Sequence, residues 1–300
     1  VTLPRTTIRA LLLLAASAVA ATAQTPSVST AVKSTRKQKR ARPPRPQYNP
    51  NVILLDPAHG GTDSGADLGP AGLEKDWTVA FADRLRALLA AQGFTVVLTH
   101  VDASADTSPD QRAEIANRSR AVACLLLHAT DSGHGIHLFA SALTEPPPGQ
   151  SFPENYIAPW DSAQATSLPK SLELASEIST ALNGLRAPLV LTRATVKPID
   201  SFACPALAIE IAPPPGGSSV ADDAYRERVA ESLATALSYW RDHAKAQITA
   251  QNDAFQAAQA TAAFQTAPAQ PAKPKPKPRL VVPPEESPLA PANPPGGAPR

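Results

Sequence analysis

Four residues of this chain are of types that do chemistry and stand where a fold could use them: His59, Glu74, His128 and Glu210. His59 follows the apolar run Val52–Leu55 in "NVILLDPAHGG", and His128 directly follows a second apolar run, Val122–Leu127. Glu210 interrupts the apolar "LAIEIA", and Glu74 sits where a glycine-rich loop enters a helix. Singly, each has a plain explanation. A histidine at a strand end is ordinarily a hydrogen-bonded structural residue, and Glu74 is a favourable charge at a helix N-terminus. Glu210 is harder to dismiss, because a carboxylate inside an apolar strand must be paired, metal-bound or protonated to escape desolvation. Taken together, two histidines and one glutamate suit Zn²⁺ with a fourth position left for water. A second carboxylate outside the ligand set is what such a site needs as general base. The spacing is not a compact pattern like H-E-x-x-H, so spacing alone leaves the assignment open.

Other chemistries fit less well. The glycines from Gly60 to Gly72 are not followed by Lys-Ser/Thr, and they miss the dinucleotide fingerprint in spacing. No G-x-S-x-G elbow is present for a serine hydrolase. Cys124 lies four residues before His128, but its mid-strand position points to a buried, unreactive thiol. His134 and His137, in "SGHGIHLFAS", are candidate ligands of a second metal. Their loop and strand positions, with no carboxylate nearby in the sequence, favour surface or packing roles.

The elements that must position these residues alternate. Strands are predicted at Val52–Leu55, Phe94–Thr99, Val122–Leu127, Gly135–Ala140, Leu189–Thr192 and Ala206–Ile211. Between them, Trp77, Phe81, Leu85, Leu88 and Leu89 recur at helical spacing over Asp76–Gln92, with Gly93 as a stop. Ser108, Pro109 and Gln111 form a capping-box start for a second helix. Leu172, Ala175, Ile178 and Leu182 mark a third, and Val229, Leu233, Ala236, Leu237 and Trp240 a long last one. That pattern fades into "AQITAQNDAFQAAQATAAFQ", which either prolongs the helix or is loose. Strands that are apolar on both faces, alternating with helices, predict a three-layer α/β/α domain with a mostly parallel, mixed central sheet. In such sheets ligands bind beyond the carboxyl ends of the strands, where the histidines fall.

The folded segment is expected at 51–245 of the 300 residues. Residues 1–23 carry Arg5 and Arg9, an apolar run Ala10–Ala20 and Ala21-Thr22-Ala23, the layout of a cleaved signal peptide. The run is short for a membrane span, so no transmembrane segment is expected in the mature chain. An uncleaved anchor is the alternative. Residues 24–50 form a basic, proline-containing linker, "KSTRKQKRARPPRP". It has no interleaved aromatics for base stacking, and a net charge of +2 gives no sign of nucleic-acid binding. Residues 246–300 read as an Ala/Gln-rich and then Pro-rich disordered tail, since 12 of the 33 prolines fall from Pro268 onward. The two cysteines are too few for a disulfide scaffold, and no C-x-x-C pair suggests a redox or zinc motif.

The segment "LLDPAHGGTDSGADLGPAGLEKDWTVAFADRLRALLAAQGFTVVLTH" resembles the opening of the zinc-dependent N-acetylmuramoyl-L-alanine amidases of the AmiA/AmiC type. "RAEIANRSRAVACLLLHAT" and "CPALAIEIA" with "AYRERVAESLATAL" are similar to that family's later motifs, so the resemblance spans roughly 52–242. It implies that His59, Glu74 and His128 bind Zn²⁺ and that Glu210 is the catalytic carboxylate. The implied substrate is peptidoglycan, cut between N-acetylmuramic acid and L-alanine, and the implied location is the periplasm or cell envelope. Two other readings stay open: a non-catalytic peptidoglycan-binding module, and a zinc amidase or peptidase acting on another amide. Some relatives carry a helix that blocks the zinc until a protein activator removes it. The irregular stretch Thr144–Pro169 looks too short for one, so no plug is expected and any activator is unknown. Departures from the family pattern are Ala58 for Gly, His100 for Arg, Thr130 for Asn, and "APPPGGSS" after Glu210. If position 58 needs a positive φ, alanine is strained there. If the strands of Cys124 and Cys204 are neighbours, as the family fold implies, a bridge between them can form.

Overall fold

The computed structural model describes residues 48–145, 159–217 and 219–265. The segment expected to be a signal peptide, nearly all of the expected linker and the Pro-rich end lie outside the described residues, as does much of Thr144–Pro169. Six strands form one sheet in the order β2-β1-β3-β6-β4-β5. They are β1 (Asn49–Pro57), β2 (Thr95–Leu98), β3 (Ala121–Ala129), β4 (Ile136–Ser141), β5 (Leu189–Ala194) and β6 (Ala206–Ile211). β2, β1, β3 and β6 pair in parallel, β4 runs antiparallel to β6, and β5 is parallel to β4. The helices are α1 (Glu74–Ala91), α2 (Pro109–Ser119), α3 (Leu168–Leu182) and α4 (Asp223–Gln265).

The two faces of the sheet are covered unequally. On one, α1, α3 and α4 bring Trp77, Phe81, Leu85, Leu89, Ile178, Leu233 and Leu237 against Ile53, Leu55, Leu125, Leu127, Leu207 and Ile209. The period-2 alternation of each strand sends these odd-numbered residues to that side. On the other face α2 and the 3-10 turn Ile199–Ser201 cover smaller side chains, including Ala113, Ala116, Cys124, Ala206 and Ala208. Small residues let this thin layer approach closely, and the even-numbered His128 and Glu210 point to the same side. α2 starts as its sequence predicts: Gln111 N–H bonds to Ser108 Oγ, and Gln111 Oε1 accepts from Ser108 N–H. Among the described residues no helix is long and apolar enough to cross a membrane.

One sequence expectation changes and one possibility is realised. The domain was expected to end near 245, but α4 continues to Gln265, so 246–265 are helical rather than disordered. The alanines and glutamines there are good helix formers and need little packing to extend a helix already nucleated by its buried first half. Cys124 and Cys204 form a disulfide, with Cα atoms 6.2 Å apart. β3 and β6 are neighbours in register, Cys124 facing Ala206, so Cys204 falls just before β6 and beside β3.

Candidate metal centre

All four residues singled out in the sequence lie at the carboxyl end of the parallel strands. β1 ends at Pro57, and Ala58 N–H still bonds Leu127 O at 2.9 Å, so His59 is the second residue past the strand. His59 itself has φ 65, whereas Ala58 has no positive φ and is buried. The non-glycine residue of this loop with a left-handed backbone is therefore the histidine, and position 58 does not meet the condition under which alanine would be strained. Arg112 of α2 fixes the turn. Its guanidinium donates to Pro57 O and His59 O, each at 2.5 Å, and to the buried Asp56 carboxylate at 2.8 Å. Burial raises the Asp56 pKa, opposed by Arg112 and by the Thr99 hydroxyl.

The loop then returns to α1. Lys75 Nζ bonds Gly61 O at 2.7 Å, and Thr78 Oγ1 bonds Ala58 O at 3.0 Å. Gly65 has φ 66, and a Cβ there would lie 2.6 Å from the His59 ring and 2.7 Å from Glu74 Oε2. Only glycine lets the backbone pass so close to both side chains. Glu74 occupies the first turn of α1 and is nearly fully buried.

His59, Glu74 and His128 converge, with one donor atom from each within 4.8 Å of the others. His59 Nε2 stands 3.1 Å from Glu74 Oε2, and His128 Nδ1 stands 2.9 Å from Glu74 Oε1. The backbone N–H groups of Ala66 and Ala129 complete the carboxylate, one on each oxygen. Burial works to raise the Glu74 pKa, but the bonds from His128, His59 and the two amides outweigh it and hold the carboxyl ionised. Asp63, exposed, bonds His59 Nδ1 at 2.8 Å, which leaves Nε2 facing the centre. The bonds from Glu74 and Asp63 raise the His59 pKa against the effect of burial. Two imidazoles and an ionised carboxylate at one point are a donor set that fits a divalent cation of the zinc type.

Glu210 is not a member of that cluster. It lies opposite His128 across the β3–β6 ladder and opposite His137 across β6–β4. Its side chain is 32% exposed, so the deep burial expected of a carboxylate in an apolar strand is not found. The reason is position: Glu210 is next to last in β6, past the edge of the thin α2 layer. His137 Nδ1 bonds Glu210 Oε1 at 2.8 Å, which overturns the expectation that His137 has no carboxylate near it. His134 is exposed, as expected of a surface residue. Beyond Glu210 the altered segment bonds back to β4, with Ala212 N–H to Gly135 O and Gly135 N–H to Pro213 O, both at 2.9 Å.

Beside the histidines opens a cavity of about 370 Å³, lined in part by Asp106, Ser108, Leu126, Lys197 and Pro198. His100, where the family pattern has arginine, is buried behind this loop with its Nδ1 against Thr99 Oγ1. Burial, reinforced by the Arg112 charge, pushes its pKa down to about 4. Asp63, Arg112 and His137 are the site residues that sequence reasoning missed as such. Asp63 and Arg112 stood inside the quoted motifs; His137 carried no signal beyond being a histidine in a strand.

A family model described as N-acetylmuramoyl-L-alanine amidase matches residues 53–239. A germination-specific N-acetylmuramoyl-L-alanine amidase of Bacillus subtilis is 35% identical over 91 residues, covering 26% of this chain and 38% of that protein. The match thus spans well under half of that relative's length. The catalytic domain of CwlV, an N-acetylmuramoyl-L-alanine amidase from Bacillus (Paenibacillus) polymyxa, is 18% identical, with a TM-score of 0.49 over 64% of this chain and 98% of that one. An N-acetylmuramoyl-L-alanine amidase from Clostridium difficile is 22% identical, with a TM-score of 0.48 over 64% and 96%.

Proposed function

The chain belongs to the N-acetylmuramoyl-L-alanine amidase family (Amidase_3), and from that premise we propose that it is a zinc-dependent hydrolase of peptidoglycan acting in the periplasm or cell envelope. The bond cut is the amide between the lactyl group of N-acetylmuramic acid and L-alanine of the stem peptide. The observation that carries the reading is the convergence of His59, Glu74 and His128, with Glu210 opposite His128 on the next strand. Those three residues would hold Zn²⁺. Bound there, the ion supplies Lewis-acid polarisation of the scissile carbonyl and acidifies a water.

The rest is the work of this chain's own groups. Asp63 orients the His59 ring, and the Ala66 and Ala129 amides keep Glu74 ionised as a ligand. Glu210 is the general base. It takes one proton from water as the oxygen bonds to the lactyl carbonyl carbon. When the C–N bond breaks, Glu210 returns that proton to the nitrogen of L-alanine and is ionised again. Its partial exposure at the strand end gives water and substrate access to the carboxylate. The cavity beside His59 and His128 offers room for the stem peptide or the sugar.

Digestion of purified peptidoglycan by the enzyme alone, with no added protein partner, is expected to release stem peptides beginning with L-alanine. A chelator should stop the release and Zn²⁺ should restore it. Cuts at other amides, or none with zinc loaded, would refute this reading.

A further inference from the structure

We propose that His137 is the positioning residue of Glu210: it ties Oε1 through Nδ1–H and so reserves Oε2 for the proton of the attacking water. This rests on the reading of Glu210 as the general base. The juxtaposition is built into the backbone. β4 pairs antiparallel with β6, and its register sets His137 directly opposite Glu210. Directly opposed residues of an antiparallel pair hold their Cβ atoms about 5 Å apart, within easy reach of a side-chain bond. On the other flank, β3 sets His128 opposite the same glutamate. His128, Glu210 and His137 therefore stand in one row on one face, and the glutamate lies between a candidate metal ligand and a histidine outside that cluster.

The contact is a full hydrogen bond, 2.8 Å from Nδ1 to Oε1. Neither partner is driven together by burial, since the two side chains are 30% and 32% exposed. A glutamate one-third exposed, with three rotatable bonds, has no fixed aim of its own. The ring that holds it is itself oriented, lying edge-on to Phe139 with centroids 6.4 Å apart. An ionised carboxylate only accepts, so Nδ1 must carry the hydrogen. That N–H takes one lone pair of Oε1 and draws charge from it, so Oε2 is the more basic oxygen and the one that meets the water proton. The water proton goes to Oε2 and leaves from Oε2 to the amine; the Nδ1 proton stays on His137 throughout.

Asparagine and glutamine separate this role from a merely structural one. The amide nitrogen of asparagine falls near the place of Nδ1, and that of glutamine near Nε2. In the zinc-loaded full chain, His137→Ala is expected to lower kcat about 10–100-fold, as loss of an orienting partner does, with KM and bound zinc unchanged. His137→Asn should recover most of that loss and His137→Gln should not. Independently of turnover, ¹⁵N-imidazole NMR should find Nδ1 of His137 protonated, with its signal shifted by Glu210→Ala. If the wild type leaves peptidoglycan intact while that signal and its shift are present, the substrate reading fails and the pairing stands. Wild-type kcat in His137→Ala, equal rates for the Asn and Gln variants, a loss confined to KM or to bound zinc, or a bare Nδ1 in the wild type would each overturn the proposal.

Discussion

The two carboxylates of this site, Glu74 bonded to His128 and Glu210 opposite it in the β3–β6 ladder, are held in opposite ways. Glu74 is nearly buried, and both of its oxygens are filled, each by one imidazole and one backbone amide. Glu210 is one-third exposed and, among the described residues, has one side-chain hydrogen-bond partner, His137 on one oxygen. A ligand gains from fixed backbone donors, because the Ala66 and Ala129 amides keep Glu74 ionised and in place while the imidazoles are free to turn their lone pairs to a metal. A base needs the reverse: one oxygen held, the other free to pick up a proton and give it back. One sheet edge supplies both conditions, because the glycine loop and β3 close around Glu74 while Glu210 keeps about a third of its side chain in solvent.

The sharpest way to break the contrast is to neutralise each carboxylate separately. Glu210→Gln should cost about 10³-fold in kcat, within the usual range for a general base, while bound zinc stays at one per chain. Glu74→Gln should lose activity and zinc together. Metal analysis beside kinetics checks the pair, and zinc loss in the Glu210 variant would erase the distinction. A smaller effect is expected from Gly65→Ala, which pushes a methyl into the gap between His59 and Glu74. Zinc affinity should fall about 10–100-fold, the scale of a lost supporting contact, measured by competition with a chromophoric chelator. The same change leaves the Glu210–His137 half untouched.

The smallest effect concerns what lies behind the loop. His100 has a folded-state pKa of about 4 against an ordinary value of 6.5. Below pH 6.5 the unfolded chain therefore binds a proton that the folded chain refuses, and stability falls as pH falls through that window. Between pH 7.5 and 5 the loss from this group is on the order of 2 kcal/mol at 1.36 kcal/mol per pKa unit. Urea midpoints should show it, and His100→Gln should flatten the slope over that range. An unchanged slope would show that another group sets the acid limit.

Much of this site was legible in the sequence, because strand ends followed by histidine or interrupted by glutamate are local signals. His59, Glu74, His128 and Glu210 were found by residue type and strand position, and the structure brings them to one edge. The rest depends on register. Nothing in "SGHGIHLFAS" reveals that β4 turns antiparallel and slots beside β6, so His137 read as a packing residue. The role of Arg112 depends on α2 lying over the end of β1, where its guanidinium reaches two backbone carbonyls 53 and 55 residues away. Position 58 misled for a related reason. A resemblance marks which residue replaces glycine, but not which residue of the turn takes the left-handed conformation, and that is His59.

The bridge between Cys124 and Cys204 ties the strand of His128 to the start of the strand of Glu210. It closes a loop of 80 residues, which on a chain-entropy account is worth about 4 kcal/mol against the unfolded state. That is a large share of the roughly 5–15 kcal/mol that holds a typical domain together. The same polypeptide is therefore a much weaker fold with its thiols reduced than with them joined. Joining the two sulfurs thus fastens the strand that carries the histidine to the one that carries the glutamate.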